Sequence, residues 1–292
     1  MIHLKGDKVA PRALEWLDSS TKPQVHSLYR QSINLINAEQ SLLSIVLPEV
    51  GPGPFAIVVA QPDASFEGFS VLDVESPVII NSDRIEIGSI QVDATSAEEW
   101  QPQPDWQRFG EDLDRAAQSK LKQLLREYAP PGSFAPLVNG ALPELDQTVQ
   151  SKALQAAAEP AEMLLSSLAA GDRGGAQEAV VGLAGLGGGV TPAGDDFLQG
   201  AIHALWAKQS GELAHQMGQA IVSMAASRTN AVSGEWLRSA ARGEAGADWH
   251  LLAQAIATNE GVEDTMIQLL QRGHTSGADA MAGFLATLSV LD

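Results

Sequence analysis

The strongest constraint on this chain is a change of hydrophobic period. Between Ser41 and Asp93 the apolar residues come in short β-rich runs, SLLSIVL, FAIVVAQ, FSVLDV, PVII, RIEIG and IQVD, parted by turn formers such as GPGP and NSD. Beyond Trp106 they recur every three or four residues in stretches dominated by Ala, Leu, Gln and Glu, and alternation almost disappears. The segment between, SAEEWQPQPDW, carries prolines, tryptophans and acids and reads as a connector. The pattern predicts an α+β protein: an antiparallel β-rich N-terminal domain over 1–105, with Leu43, Ile45, Leu47, Ile57, Val58 and Val59 on its buried face, then a larger all-α domain over 106–292. A length of 292 residues, beyond the usual single-domain mode of roughly 100–150, agrees with two domains.

Composition narrows what the chain can do. Only 5% of residues are aromatic, so the core must be built from Ala, Leu, Val and Ile, whose small side chains favour closely packed helices. A formal net charge of −18 opposes the counterion release on which binding to nucleic acid or to anionic membranes depends. The absence of cysteine excludes disulfides, thiolate nucleophiles, Fe–S clusters and cysteine-ligated zinc, while six histidines leave oxygen and nitrogen metal sites open. The first residues lack the apolar core of a signal peptide, and no apolar run approaches the ~20 residues of a membrane span, so the expected location is the cytoplasm.

Two glycine-rich segments each lead into an apolar helix. In GLGGGVTPAGDDFLQG, Thr191 reads as an N-cap and Pro192 as the first helical residue. Gly187, Gly188, Gly189 and Gly194 leave backbone N–H groups unshielded at the positive end of the helix dipole, where an anion could sit. Asp195 heads an apolar stripe through Leu198, Ile202 and Leu205, and Asp196 heads a neighbouring one through Gly200 and His203. At least one of these carboxylates therefore faces inward and needs a hydrogen-bond partner, a cation or a metal. The second segment, GHTSGADAMAG, contributes Thr275, Ser276, Gly277 and Asp279, and its Thr275-x-x-x-Asp279 echoes Thr191-x-x-x-Asp195. Small residues on both helices (Gly200, Ala201, Ala204; Ala282, Gly283, Ala286) allow a close, roughly parallel pairing. Thr191, Asp195, Asp196, Thr275 and Asp279 would then meet at one end, an arrangement suited to Mg²⁺, held by Asp195, Asp196 and Asp279, with a phosphate-like group.

The competing explanation is ordinary capping, since Asp and Thr at helix starts complement the dipole; two glycine-rich copies together favour a site. No GxGxxG follows a strand and no Gly-Lys-Ser/Thr closes the loop, so neither a Rossmann fingerprint nor a P-loop is present. His274 is a candidate proton carrier, His203 reads as a core residue, and Thr229 and Ser233 are either substrate-binding hydroxyls or caps.

These two glycine-rich segments resemble the hallmark stretches of the AllH-like family, long described as a domain of unknown function. INLINAEQSLLSIVLPEVGPGPFAIVV is similar to the family's N-terminal strands, and AVSGEWLRSAARGE to its middle helix. The chain departs from the family pattern at Gly188, Val190 and Ala193, leaving Thr191, Asp195 and Asp196 in place. The resemblance implies a subunit of an oxamate carbamoyltransferase of anaerobic allantoin degradation. It would convert oxalurate and phosphate to oxamate and carbamoyl phosphate with AllF-like (FdrA-like) and AllG-like partners. A non-catalytic partner-binding subunit and a stand-alone small-molecule binding protein are the alternatives.

Overall fold

The computed structural model of the chain describes residues 1–63, 66–139 and 148–291, and these form two compact units. Met1–Pro102 with Ala245–Ala247 make the first, and Gln103–Glu244 with Asp248–Asp292 the second. No helix among the described residues is long and apolar enough to cross a membrane.

The first unit is strand-rich. Its strands among the described residues are β1 (Ile2–Val9), β2 (Gln24–Leu28), β3 (Ser32–Ile36), β4 (Leu42–Val46), β5 (Ala56–Val59), β6 (Val78–Asn81), β7 (Arg84–Ile87), β8 (Ile90–Asp93) and β9 (Glu98–Glu99). They form one sheet in the order β2-β3-β4-β5-β1-β8-β7-β6, with β9 paired to β1. Where the strand pattern predicts antiparallel pairing, the sheet is mixed: β4 with β5, β1 with β8 and β1 with β9 run parallel. Two of the three parallel pairs involve β1, which the runs beginning at Ser41 do not include and which inserts between β5 and β8; β4 and β5 pair directly. Helix α1 (Pro11–Ser19) lays Ala13, Trp16 and Leu17 against the core formed by Ile33, Leu35, Leu43, Ile45, Ile57 and Val59. Val58 belongs instead with Val46 and Ala56 on the opposite face, since adjacent strand residues point to opposite sides. FSVLDV is not a strand; Phe69–Val71 make a 3-10 turn with Phe69 buried.

The second unit is helical. The stretch beginning at Trp106 is broken into α2 (Trp106–Asp112) and α3 (Arg115–Tyr128), because Asp114 accepts the Ala117 N–H and starts a new helix. Then follow α4 (Val149–Ala170), α5 (Arg173–Leu183), α6 (Ala193–Lys208), α7 (Gly211–Ala225), α8 (Ala231–Ala241), α9 (Ala247–Thr258), α10 (Val262–Leu270) and α11 (Ser276–Leu291). The helical pattern that begins at Glu144 falls partly outside the described residues, which resume at Thr148, the cap of α4.

Helices α6 and α11 are the axis of this unit. Phe197, Leu198, Ala201, Ile202, Ala204 and Leu205 on one, and Met281, Ala282, Phe284, Leu285 and Leu288 on the other, are fully buried. They cross at glycines: a Cβ on Gly200 would fall 1.7 Å from the Ala280 carbonyl oxygen, and one on Gly283 2.0 Å from that of Phe197. Only hydrogen fits at either position. Because Thr191 also lies beside Ser276, at 2.8 Å between hydroxyls, both helices start at the same end and run roughly parallel, as their small-residue stripes require.

Farther along α6, His203 is wholly buried between Trp106 (ring centroids 5.0 Å apart, stacked) and Trp249 (4.8 Å, edge-on), with Nε2 3.3 Å from the Glu244 carbonyl oxygen. It is a core residue, as its apolar helix suggests, and only half satisfied, since Nδ1 has no hydrogen-bond partner among the described residues. Burial lowers its pKa to about 3, so it is neutral in the fold.

Candidate functional site

The starts of α6 and α11 are two copies of one design. In each, a glycine at the second helical position (Gly194, Gly277) presses its Cα against a carbonyl of the preceding helix: a Cβ would lie 2.0 Å from the Leu183 oxygen and 1.8 Å from the Leu269 oxygen. In each, that glycine's N–H is taken by a carbonyl of the preceding turn, Leu186 at 2.9 Å and Arg272 at 3.1 Å. In each, an aspartate follows two residues later and the crossing glycine four residues after that. The structure therefore corrects the register of the echo: the counterpart of Asp279 is Asp196, and Asp195 corresponds to Ala278. A second correction concerns Thr191. Pro192, with ψ of 142°, is the residue immediately before the helix, and Thr191 does not cap it. Its hydroxyl instead donates to the Asp196 carboxylate (3.1 Å) and meets the Ser276 hydroxyl.

This geometry sorts the sequence candidates into two groups. Thr191, Asp196, Ser276 and Asp279 come together between the helix starts. Asp279 is fully buried; its Oδ1 accepts the Phe134 N–H at 2.6 Å, and its Oδ2 has no hydrogen-bond partner among the described residues. Asp195, Thr229 and Ser233 form the second group. Asp195 accepts the Gly185 N–H at 2.9 Å and a short hydrogen bond from the Thr229 hydroxyl, and Ser233 is buried nearby. Both Asp195 oxygens are thus committed to holding the glycine loop and the α7–α8 turn. Among the described residues no group of three or more His, Asp or Glu side chains is placed to hold a metal ion, so the Mg²⁺ set of Asp195, Asp196 and Asp279 is not formed. His274 stands exposed on the turn before α11, and Thr275 accepts the Asp279 N–H through its carbonyl at 2.9 Å.

In the loop that leads into α6, Gly187, Gly188 and Gly189 are exposed, and their N–H groups donate to no protein acceptor among the described residues. Gly187 has φ of +114° and sits over the helix start, where a Cβ would lie 2.9 Å from the Ala193 nitrogen. The N–H groups of Gly194, Asp195 and Asp196 are already bonded, to Leu186 and Pro192 carbonyls. Of the first turn only the Ala193 N–H has no protein acceptor among the described residues, so an anion at this end meets that amide and those of the loop.

Burial dominates the electrostatics. It pushes Asp279 up to about 7 against the pull of the Phe134 N–H and the Thr275 hydroxyl. Asp196 is raised well above the usual carboxylate range, first by burial and then by the charge of Asp279, while the hydroxyls of Ser276 and Thr191 act in the other direction. Asp195 is also raised by burial, opposed by Thr229, Gly185 and Ser233. Two facing carboxyls in a dry site cannot both ionise cheaply, so near neutral pH the pair keeps at least one proton.

That state has a consequence for stability. A carboxyl whose pKa rises from 3.8 in the unfolded chain to about 7 in the fold binds more protons when folded. Its contribution is fully present below about pH 4 and is lost as pH rises through 7. His203 works oppositely: its contribution is present above pH 6.5 and is lost as pH falls through about 3. Urea unfolding at pH 5 and pH 8 should show Asp279→Asn gaining stability relative to the native chain at the higher pH, since the His203 contribution is common to both. An Asp279→Asn chain with the native pH slope would show that Asp279 is ionised in the fold.

Sequence reasoning missed Phe134, whose backbone amide carries no side-chain signature, and Asn230, whose amide donates to the Val190 carbonyl at 2.9 Å. The runs of small polar residues around TNAVS could have pointed to Asn230 as a cap.

Fold and site together define an α+β protein whose helical unit joins two glycine-led helix starts over a buried carboxyl pair. Residues 183–288 match the family described as oxamate carbamoyltransferase subunit AllH, and residues 4–99 match the AllH family N-terminal domain. The chain belongs to the AllH family. No curated protein and no solved structure matches it.

Proposed function

We propose that this chain is the subunit of a carbamoyltransferase that binds phosphate or carbamoyl phosphate at the Gly187–Gly189 amides and moves a proton through the Asp196–Asp279 pair. The observation that carries the reading is Asp279 itself: a fully buried carboxyl with one oxygen unpartnered, facing the buried carboxyl of Asp196, whose helix is entered through a loop of unbonded amides. In phosphorolysis of oxalurate, a phosphate oxygen attacks the carbamoyl carbon, the bond from that carbon to the oxamate nitrogen breaks, and the proton of hydrogen phosphate ends on that nitrogen. A carboxyl pair sharing one proton suits this transfer, since one oxygen accepts while another donates and the pair's charge is unchanged. Thr191 and Ser276, half-buried hydroxyls that join Asp196 to the surface, provide its route to solvent. The partners in this reading are AllF-like and AllG-like proteins, in keeping with a family named for a subunit.

The test is thermal unfolding of the purified chain with phosphate, carbamoyl phosphate, oxalurate or oxamate. A ligand at ~100 times its Kd adds about 2.7 kcal/mol, a rise of several degrees at most for a chain of this size. Phosphate and carbamoyl phosphate should raise the midpoint, and Asp195→Ala, which removes both acceptors that fasten the loop, should abolish the rise. A chain that responds to none of the four ligands has no self-contained anion site, and a role in assembling the partners would replace the proposal.

A further inference from the structure

We infer that Asn230 is a positioning residue that straps the glycine loop into the shape in which it meets its ligand. The inference rests on the anion-binding reading of that loop. Residues 228–230, the turn between α7 and α8, fasten the loop at both ends. At its start, the Gly185 N–H is held by Asp195, whose other oxygen takes the Thr229 hydroxyl, and the Arg228 carbonyl packs so closely that a Cβ on Gly185 would fall 2.5 Å from its oxygen. At its end, the Asn230 Nδ2 donates to the Val190 carbonyl at 2.9 Å.

The same side chain is anchored by its other atom: Oδ1 accepts the Ser233 N–H at 3.0 Å and caps α8. Asn230 thus ties the loop to a helix start whose next turn is largely buried, with Val232, Ser233, Gly234 and Glu235 all inside. Between the two fastenings lie Gly187 and Gly189, at φ of +114° and +100°, with no side chains to restrict them and no hydrogen bonds to other described residues. Such a stretch would sample many conformations if free, and a ligand would have to order it on binding. The strap does that ordering in advance, so its loss weakens ligand binding without touching the buried carboxyls.

The two functions of the side chain can be separated. Asn230→Ser keeps a hydroxyl that caps α8 and is too short to reach Val190, and it adds no charge. Asn230→Asp keeps the cap and turns the donor into an acceptor. In both variants the amide order parameters of Gly187, Gly188 and Gly189 should fall from near 0.85 to below about 0.6. The Kd for inorganic phosphate should rise about tenfold, while the thermal midpoint without ligand stays close to native. In the complex reconstituted with its partners, KM for phosphate should rise and kcat should hold within about twofold. Native order parameters and phosphate affinity in Asn230→Ser overturn the inference, as does weakening confined to Asn230→Asp, which would be an effect of charge. If the native chain does not bind phosphate, the anion reading fails instead, and the order parameters alone decide whether Asn230 straps the loop.

Discussion

Asp279→Asn should lower turnover of the reconstituted complex by about 10²–10⁴-fold, the usual worth of a positioned proton carrier, with assembly intact. The substitution is nearly isosteric. Asparagine's oxygen can still accept the Phe134 N–H, and its amide nitrogen occupies the place of the unpartnered Oδ2, so the local packing survives. What disappears is a group whose proton affinity lies at about 7, matched to transfer near neutral pH. Asp196→Asn should have a similar effect, and the double variant should be little worse than either, because two carboxyls that share a proton act as one device. Asp195→Ala should differ in kind, raising KM for phosphate more than it lowers kcat, since Asp195 holds the loop and takes no part in the pair. Turnover within about threefold of native in Asp279→Asn would remove the carboxyl pair from the chemistry.

The second large effect is on folding. Glycine to alanine inside a helix ordinarily gains about 1 kcal/mol. At Gly200 and Gly283 the sign should reverse, because the new methyl would lie 1.7 Å and 2.0 Å from backbone oxygens of the facing helix, which cannot move aside as a side chain could. Separating α6 from α11 in the middle of the core should cost about 3 kcal/mol or more, lowering the thermal midpoint of Gly200→Ala by roughly 6–12 °C. Gly188→Ala is the control: nothing lies within 4 Å of its Cβ and its φ is not positive, so its midpoint should stay near native. A Gly200→Ala chain as stable as the native one would mean that the helices do not cross there. Since the same crossing brings Asp196 and Asp279 face to face, Gly200→Ala and Gly283→Ala should also lose the pH dependence of stability assigned to that pair.

Much of this site is legible in the amino-acid sequence because its determinants are local. Glycine-rich loops before apolar helices, acids in the first turn and small-residue stripes all speak of helix starts that approach closely, and Thr191, Asp196, Ser276 and Asp279 do meet. Two things were beyond local reading. Matching threonine to threonine paired Asp195 with Asp279, whereas the true register is set by the packing glycines Gly194 and Gly277, whose role depends on carbonyls of α5 and α10. The Phe134 amide arrives from a turn far away in the chain, and any residue type could have supplied it. The same distinction holds in the strand-rich unit. β4 to β8 announce themselves as short apolar runs bounded by turn formers, but which strands pair parallel, β1 with β8 and β4 with β5, is a long-range choice.

The central claim is that one site couples an anion to a shared carboxyl proton, and calorimetric titration with phosphate at about pH 8 tests it most directly. An anion bound at the loop must raise the pair's proton affinity, and by reciprocity binding must draw in protons from solution. Repeating the titration in two buffers of different ionisation enthalpy counts them. The native chain should take up a proton fraction approaching one per phosphate, and the Asp196→Asn, Asp279→Asn double variant should bind phosphate with almost none. Phosphate binding with equal proton uptake in both chains would contradict the account, because the anion would then be held somewhere that the carboxyl pair does not feel.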